Sequence, residues 1–374
     1  MIGGRFTTRA IIRHTPIFVG AFAIFLYALS TLRTIAPAGP WVGVLTWVGA
    51  AFAGARLLLL VDVFVQWAWR RINQRRQLKH AASAPQMDRR RFIANMIVPA
   101  TAGVAGGVGV VGSAATFKVF RETVLLPKLP HALDGFRIGL ITDPHIGDWV
   151  APERLARAVD VLNQAEVDLQ VLGGDLIDDL SLLDPTFAAL ERCHAPHGML
   201  AVLGNHEKAG LNLLPILEAY ERRRAQERIR LLVDAQLRLA HHGAPLWVIG
   251  IDYPMHPGGR HTLPRAEHEA FMRTSADKAF QGVRTEEPVL CLTHHPAFFP
   301  VATERGAWLT LAGHMHGGQW APLGHPLFAS SPYIRGHYRR GSAHLYVSCG
   351  LGDWLPSRIG VPHEVTIITL ARPM

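Results

Sequence analysis

Cysteine is nearly absent. The chain of 374 residues has three, Cys193, Cys291 and Cys349. An odd number at wide spacing excludes a disulfide framework and a zinc ribbon; three small, semi-buried residues are the simplest reading. No glycine loop of the P-loop type is present, which excludes phosphate binding of that kind. No segment repeats, so the chain is not a repeat array. Acidic residues are scarce in the N-terminal third. Residues 1–130 hold 16 Lys/Arg against 3 Asp/Glu, which leaves 22 against 26 for residues 131–374. The whole formal charge of +9 therefore comes from the N-terminal third. An enzyme of nucleic acids more often carries its basic excess on the catalytic part, and no nucleic-acid partner is expected here.

The basic residues lie beside apolar runs, which is the pattern of a membrane protein. Thr15–Leu32 carries no charge and, at ~1.5 Å rise per residue, nearly spans a bilayer core of ~30 Å. Trp41–Trp69 is longer and is interrupted by Arg56 and Asp62. It is either a tilted span or a shorter span followed by an interfacial stretch. A basic segment follows, then a third run, Phe92–Phe117, rich in Gly and Ala. Arg89-Arg90-Arg91 before that run reads either as a twin-arginine export signal or as a topology-setting basic cluster. Both place residues after about 118 outside the cytoplasm. The expected organisation is a membrane region over residues 1–118 with about three spans, a linker over 119–132, and a globular domain over 133–374. The expected location is the inner membrane, multi-pass, with the domain on the extracytoplasmic side.

The domain reads as a series of short apolar strands. Phe136–Thr142, Asp168–Leu172, Gly198–Leu203, Leu246–Ile251, Val289–Leu292, Trp308–Leu311, Leu345–Ser348 and Val365–Leu370 are the expected strands. Pro152–Asn163 is expected as a helix, with Leu155, Val159 and Leu162 on one face; Leu213–Arg224 also has helical spacing. Five polar clusters stand at strand ends. They are Asp143-Pro144-His145, Gly174-Asp175, Gly204-Asn205-His206-Glu207, Thr293-His294-His295-Pro296 and Gly313-His314-Met315-His316. In α/β proteins, loops at the carboxyl ends of strands present side chains from a rigid sheet.

Each cluster alone is weak. Together, and in this order, they offer oxygen and nitrogen donors that suit divalent Mn, Fe or Zn rather than a thiolate-loving ion. Two such metals can clamp a phosphate and lower the pKa of a bound water toward ~7.

The five clusters resemble the calcineurin-like metallophosphoesterase superfamily from Phe136 to Leu370. The run Gly313–Gln319, with Tyr346–Gly352 and Arg358, is similar to its bacterial membrane-associated phosphodiesterase branch. Met315, Cys349 and His363 depart from the usual pattern without removing a ligand. The resemblance implies a four-layer α/β/β/α sandwich behind the N-terminal transmembrane helices. It implies that Asp143, His145, Asp175 and His316 bind one metal ion, and that Asp175, Asn205, His294 and His314 bind a second, with Asp175 bridging. His206, which is not needed as a ligand, would face the substrate and protonate the leaving oxygen. Asp178 and Asp179 are candidate partners for the ligand histidines or solvated loop residues. His295 is read as supporting a ligand or facing the substrate, or else as structural packing.

The expected function is a membrane-anchored dinuclear phosphoesterase that uses metal-activated hydroxide on a phosphodiester or lipid-linked phosphate. The alternatives are a phosphatase of soluble phosphoprotein or nucleotide, and a non-catalytic scaffold on the same fold.

Overall fold

A computed structural model describes residues 116–208, 213–224, 228–255, 265–321, 324–326, 331–354 and 358–373. The expected membrane spans lie outside these residues, apart from Thr116 and Phe117 at the end of the third run. Among the described residues no helix is long and apolar enough to cross a membrane.

Two mixed sheets of six strands carry the domain. The first contains β1 (Lys118–Leu125), β2 (Arg137–Ile141), β3 (Leu169–Leu172), β4 (Met199–Ala201), β5 (Ile229–Leu231) and β12 (Glu364–Ala371), in the order β1-β12-β2-β3-β4-β5. The second contains β6 (Ala235–His241), β7 (Ala244–Ile251), β8 (Val289–Thr293), β9 (Leu309–Ala312), β10 (Gly336–Arg340) and β11 (Ala343–Val347), in the order β10-β11-β9-β8-β7-β6. The central strands β2 to β4 and β7 to β9 are parallel, so their carboxyl ends share one edge of each sheet. Strands buried on both faces need no polar alternation, which is why they read as unbroken apolar runs.

The faces separate by residue parity, as a pleat of period two requires. Leu140, Val171, Leu200, Val248, Leu292 and Leu311 join one core between the sheets. Ile141, Leu172, Met199 and Ile367 point the other way, onto α1 (Pro152–Gln164), α2 (Leu183–Leu190) and α4 (Leu213–Arg224). On the second sheet Ile249, Ile251 and Cys291 pack under α5 (Arg265–Ala279) and α6 (Phe299–Glu304). The layers are therefore helix, sheet, sheet, helix.

α1 buries Leu155, Val159 and Leu162, the face expected from spacing, and opens with Pro at a first-turn position where no N–H is needed. Gly139 permits this packing: a Cβ there would run into the Leu162 side chain.

The globular domain starts earlier than the expected boundary near residue 133. Lys118–Leu125, most of it assigned to the linker, is a strand parallel to β12 in full register. Val124 is buried in the core between the sheets, and Phe117 packs against the core beneath the helices. The stretch joins the sheet because the β12 edge needs a hydrogen-bonding partner.

Candidate metal centre

The carboxyl ends of the parallel strands deliver all five clusters to one place. Asp143 and His145 follow β2, Asp175 follows β3, Asn205 opens the short helix α3 (Asn205–Lys208) after β4, His294 follows β8, and His314 and His316 follow β9. Main-chain bonds lock these loops together. The Asp143 N–H donates to the Gly174 carbonyl, and the Gly313 N–H to that of His294 (both 3.0 Å). The His314 N–H donates to Asp143 Oδ1 at 2.9 Å, which ties the second sheet to the first.

Three groups form. Asp143, His145 and His316 make one; Asp175, His294 and His314 make another; His145, Asp178 and His206 make a third. In the first, Nε2 of His145 lies 3.1 Å from Nε2 of His316, which is 3.5 Å from Asp143 Oδ1. In the second, Nε2 of His294 lies 3.1 Å from Asp175 Oδ2, 3.2 Å from Asn205 Oδ1 and 3.2 Å from His314 Nδ1. Asp175 Oδ2 also lies 3.6 Å from His145 Nε2 of the first group. All seven residues expected as ligands are thus brought together.

The donor set fits divalent cations on grounds internal to the structure. His294 donates Nδ1–H to the Gly173 carbonyl at 2.8 Å, which turns its Nε2 lone pair into the cluster. Asp143, His145, Asp175, His314 and His316 all have φ between 48° and 69°. Non-glycine residues rarely adopt this left-handed conformation, and such strain collects at functional sites.

Electrostatics agree. Burial raises the Asp143 carboxyl above its usual range despite the opposing charge of His294. Asp175 is equally buried, yet His294 holds it well below that range. His294 resists burial because Asp175 and Asp143 face it, and its pKa rises to about 10. His314 and His316 are kept neutral, first by burial and then by the neighbouring charge of His294 and of His145, and a neutral imidazole is the form that ligates.

His206 stands beside this set. Its main-chain N–H donates to Asp175 Oδ1 at 2.8 Å, and its Nδ1 is bonded to Asp178 Oδ1 at 2.7 Å. Burial alone would lower its pKa, but Asp178 and then Asp175 raise it to about 9. Asp178 also bonds Nδ1 of His145, at 3.1 Å, which decides between its two sequence readings: it is a histidine partner. Asp179 caps a short turn through Ser181 instead. His295 accepts the Ala297 N–H on its Nδ1, and its ring lies 4.6 Å from that of His314.

Several partners were not assigned from sequence. The buried carboxylate of Glu207 accepts from the N–H groups of Gly204 (2.7 Å), Asp175 (3.1 Å) and Leu176. Arg358, noted only as part of the family resemblance, directs Nη2 at His316 Nδ1 (3.1 Å) and pairs with buried Asp353 (2.7 Å). Buried Lys208 pairs with Asp252, and the Tyr253 ring lies 5.6 Å from the rings of His294 and His314. The signal for Glu207 was in its cluster, which Lys208 directly follows; Arg358 sits in a stretch with no ligand spacing.

The calcineurin-like phosphoesterase family matches residues 136–318. The chain carries a calcineurin-like metallophosphoesterase domain. It is a phosphoesterase, a hydrolase of phosphate esters. The metallophosphoesterase YkuE of Bacillus subtilis is 27% identical over 300 residues, covering 76% of this chain and 98% of that protein. A Danio rerio protein named "Transmembrane protein with metallophosphoesterase domain" is 27% identical over 346 residues, covering 85% of this chain and 71% of that one. A Helicobacter pylori metallophosphoesterase is 27% identical over 261 residues, covering 68% of this chain and 64% of that one. The metallophosphoesterase domain accounts for the donor set: the family uses divalent metals, and the Asp/His groups can hold them.

Proposed function

We propose that this phosphoesterase is dinuclear and membrane-anchored, and that it hydrolyses a phosphodiester or lipid-linked phosphate on the extracytoplasmic face of the inner membrane. The observation that carries the dinuclear reading is the position of Asp175 Oδ2, within 3.6 Å of His145 Nε2 and 3.1 Å of His294 Nε2. One carboxylate then serves two ligand groups, Asp143/His145/His316 on one side and Asn205/His294/His314 on the other. Divalent metals held there supply neutralisation of phosphate charge and a more acidic water at neutral pH.

The chain's own residues do the rest. His206 presents a protonated ring to the leaving oxygen, and Asp178 fixes which ring nitrogen carries that proton. The water oxygen gives up a proton to solvent and bonds to phosphorus, the ester P–O bond breaks, and the leaving oxygen takes the His206 proton, which solvent then restores. Glu207 and the His294–Gly173 bond keep the donors from rotating away.

Anchoring is supported by the apolar runs before residue 118 and by the Danio rerio likeness. That likeness covers 85% of this chain, more than residues 119–374 alone can supply. The extracytoplasmic side follows from the Lys/Arg distribution. The test is hydrolysis of bis-p-nitrophenyl phosphate by the purified, metal-reconstituted chain, followed by a panel of lipid, nucleotide and sugar phosphates. Bound metal without hydrolysis of any of them sinks the enzyme reading. A reporter fused after residue 130 reads the topology.

A further inference from the structure

Exposed apolar side chains are not spread evenly over the domain. Val119, Phe120, Leu214, Val233, Trp354 and Ile359 are large and exposed, and each lies toward the end of the sheets that carries the metal centre. Topology places them. Val119 and Phe120 open β1, where the register runs from Phe120 through Thr366 to Leu140, one residue short of the end of β2. Leu214 opens α4, the crossover that starts from the carboxyl end of β4. Val233 follows β5 and precedes Asp234, whose carboxylate accepts from the Asp252 N–H at the end of β7. Trp354 (50% exposed) and Ile359 (42%) belong to the loop after β11. That loop also carries Arg358, which reaches His316, and its partner Asp353. Among the described residues only Leu125, at the far end of β1, is a large exposed apolar residue at the opposite end.

The chain enters the domain at the same end. Lys118 donates its N–H to the His363 carbonyl, and Glu364 donates to Gly350 in the loop beside the centre. The third apolar run, as read from the sequence, ends at Phe117, and β1 begins at Lys118.

From this we infer that the metal-bearing end of the domain seats on a lipid bilayer, with Trp354 and Ile359 in the boundary between headgroups and acyl chains. The phosphate esters it meets are then those presented by that surface. Trp is the residue most suited to this depth, because its ring is apolar and its N–H polar. Six of the seven large exposed apolar side chains among the described residues share that end, and this one-sidedness is what a lipid-facing surface requires. The inference rests on the membrane-anchored reading given above.

Nitroxide quenching tests it on the full chain. The three native cysteines are buried and free, so a single new surface cysteine can be labelled selectively. Trp354→Cys, Ile359→Cys and the control Leu125→Cys would each carry an environment-sensitive fluorophore. Each would be reconstituted into phosphatidylcholine nanodiscs with and without a nitroxide near the top of the acyl chain. The labels at 354 and 359 should lose most of their fluorescence to the nitroxide, and the label at 125 should lose none. Equal quenching at all three positions, or none at 354 and 359, overturns the seating. The two rim positions serve as independent reports should one variant fail to fold. The unsubstituted chain in the same nanodiscs is assayed on bis-p-nitrophenyl phosphate. Hydrolysis without rim quenching overturns the seating alone; rim quenching without hydrolysis overturns the phosphoesterase reading alone.

Discussion

His206 and Asp178 are joined by a hydrogen bond of 2.7 Å between Nδ1 and Oδ1, and the same carboxylate holds Nδ1 of His145. One aspartate therefore positions both the proposed acid and a proposed ligand, and substitutions at the two ends of the bond should separate these roles. His206→Ala should keep its metal and lose about 10²–10⁴-fold in kcat on an alkyl phosphodiester, the usual range for a general acid. The loss should be much smaller on a p-nitrophenyl ester, whose leaving oxygen needs no proton. Asp178→Asn should show the same leaving-group pattern and also a weaker metal, by about 10–100-fold, since it removes the partner that orients His145. Metal titration and kcat on the two esters check both. Equal losses on both esters would remove His206 from the acid role.

Glu207 braces the loop after β3 against the loop after β4. Its carboxylate is buried and accepts three main-chain N–H groups. Glu207→Gln keeps the shape but turns one acceptor into a donor facing an N–H. An unsatisfied buried group of this kind costs about 1–3 kcal/mol, which urea denaturation would read. Because Asp175 is one of the braced residues, activity should fall as well, with metal affinity falling alongside it. Unchanged metal affinity in a destabilised variant would confine Glu207 to folding.

The strand-and-cluster alternation was legible because the central strands are apolar on both faces and each is followed by chemically distinctive residues. β6 was missed although its burial alternates residue by residue, the period-two pattern of a half-exposed strand; it lies in a stretch dominated by helical spacing and arginines. β5 has only three residues and β10 is largely polar, so neither has a hydrophobic signature. β1 was hidden by its place after an apolar run. In the site, the candidate ligands and the partner Asp178 were named from the sequence, whereas the more distant partners were not. Arg358 reaches His316 from 42 residues away, and Lys208 reaches Asp252 from 44. Nothing local marks such a pair; only the return of the chain past the sheet ends creates it.

Away from the centre, His344 in β11 gives the domain an acid sensitivity. Burial, then the charges of His337 and Arg339, lower its pKa to about 4. In the unfolded chain it titrates near ~6.5. Between these values the unfolded state binds a proton that the folded state does not, so stability falls as pH drops from ~6.5 toward 4. His344→Leu should lessen the drop in urea midpoint between neutral pH and pH about 5. An identical drop in variant and parent would show that other groups carry the whole effect.

Asp175 is the residue on which the dinuclear reading turns. Its Oδ2 faces His145 and His294, while its Oδ1 accepts from the His206 N–H. A ligand belonging to one metal only would, when removed, leave the other metal in place. A shared carboxylate would not, because its loss takes one oxygen from each site and also frees the like-signed neighbours it balanced. Asp175→Ala should therefore bind neither metal tightly and lose nearly all hydrolysis, whereas Asn205→Ala should weaken one metal and spare the other. Elemental analysis after gel filtration distinguishes the two: near-zero metal against about one per chain. Asp175→Ala that still retains one tightly bound metal would make Asp175 a ligand of a single ion. The two histidine groups would then have to be explained without a bridge.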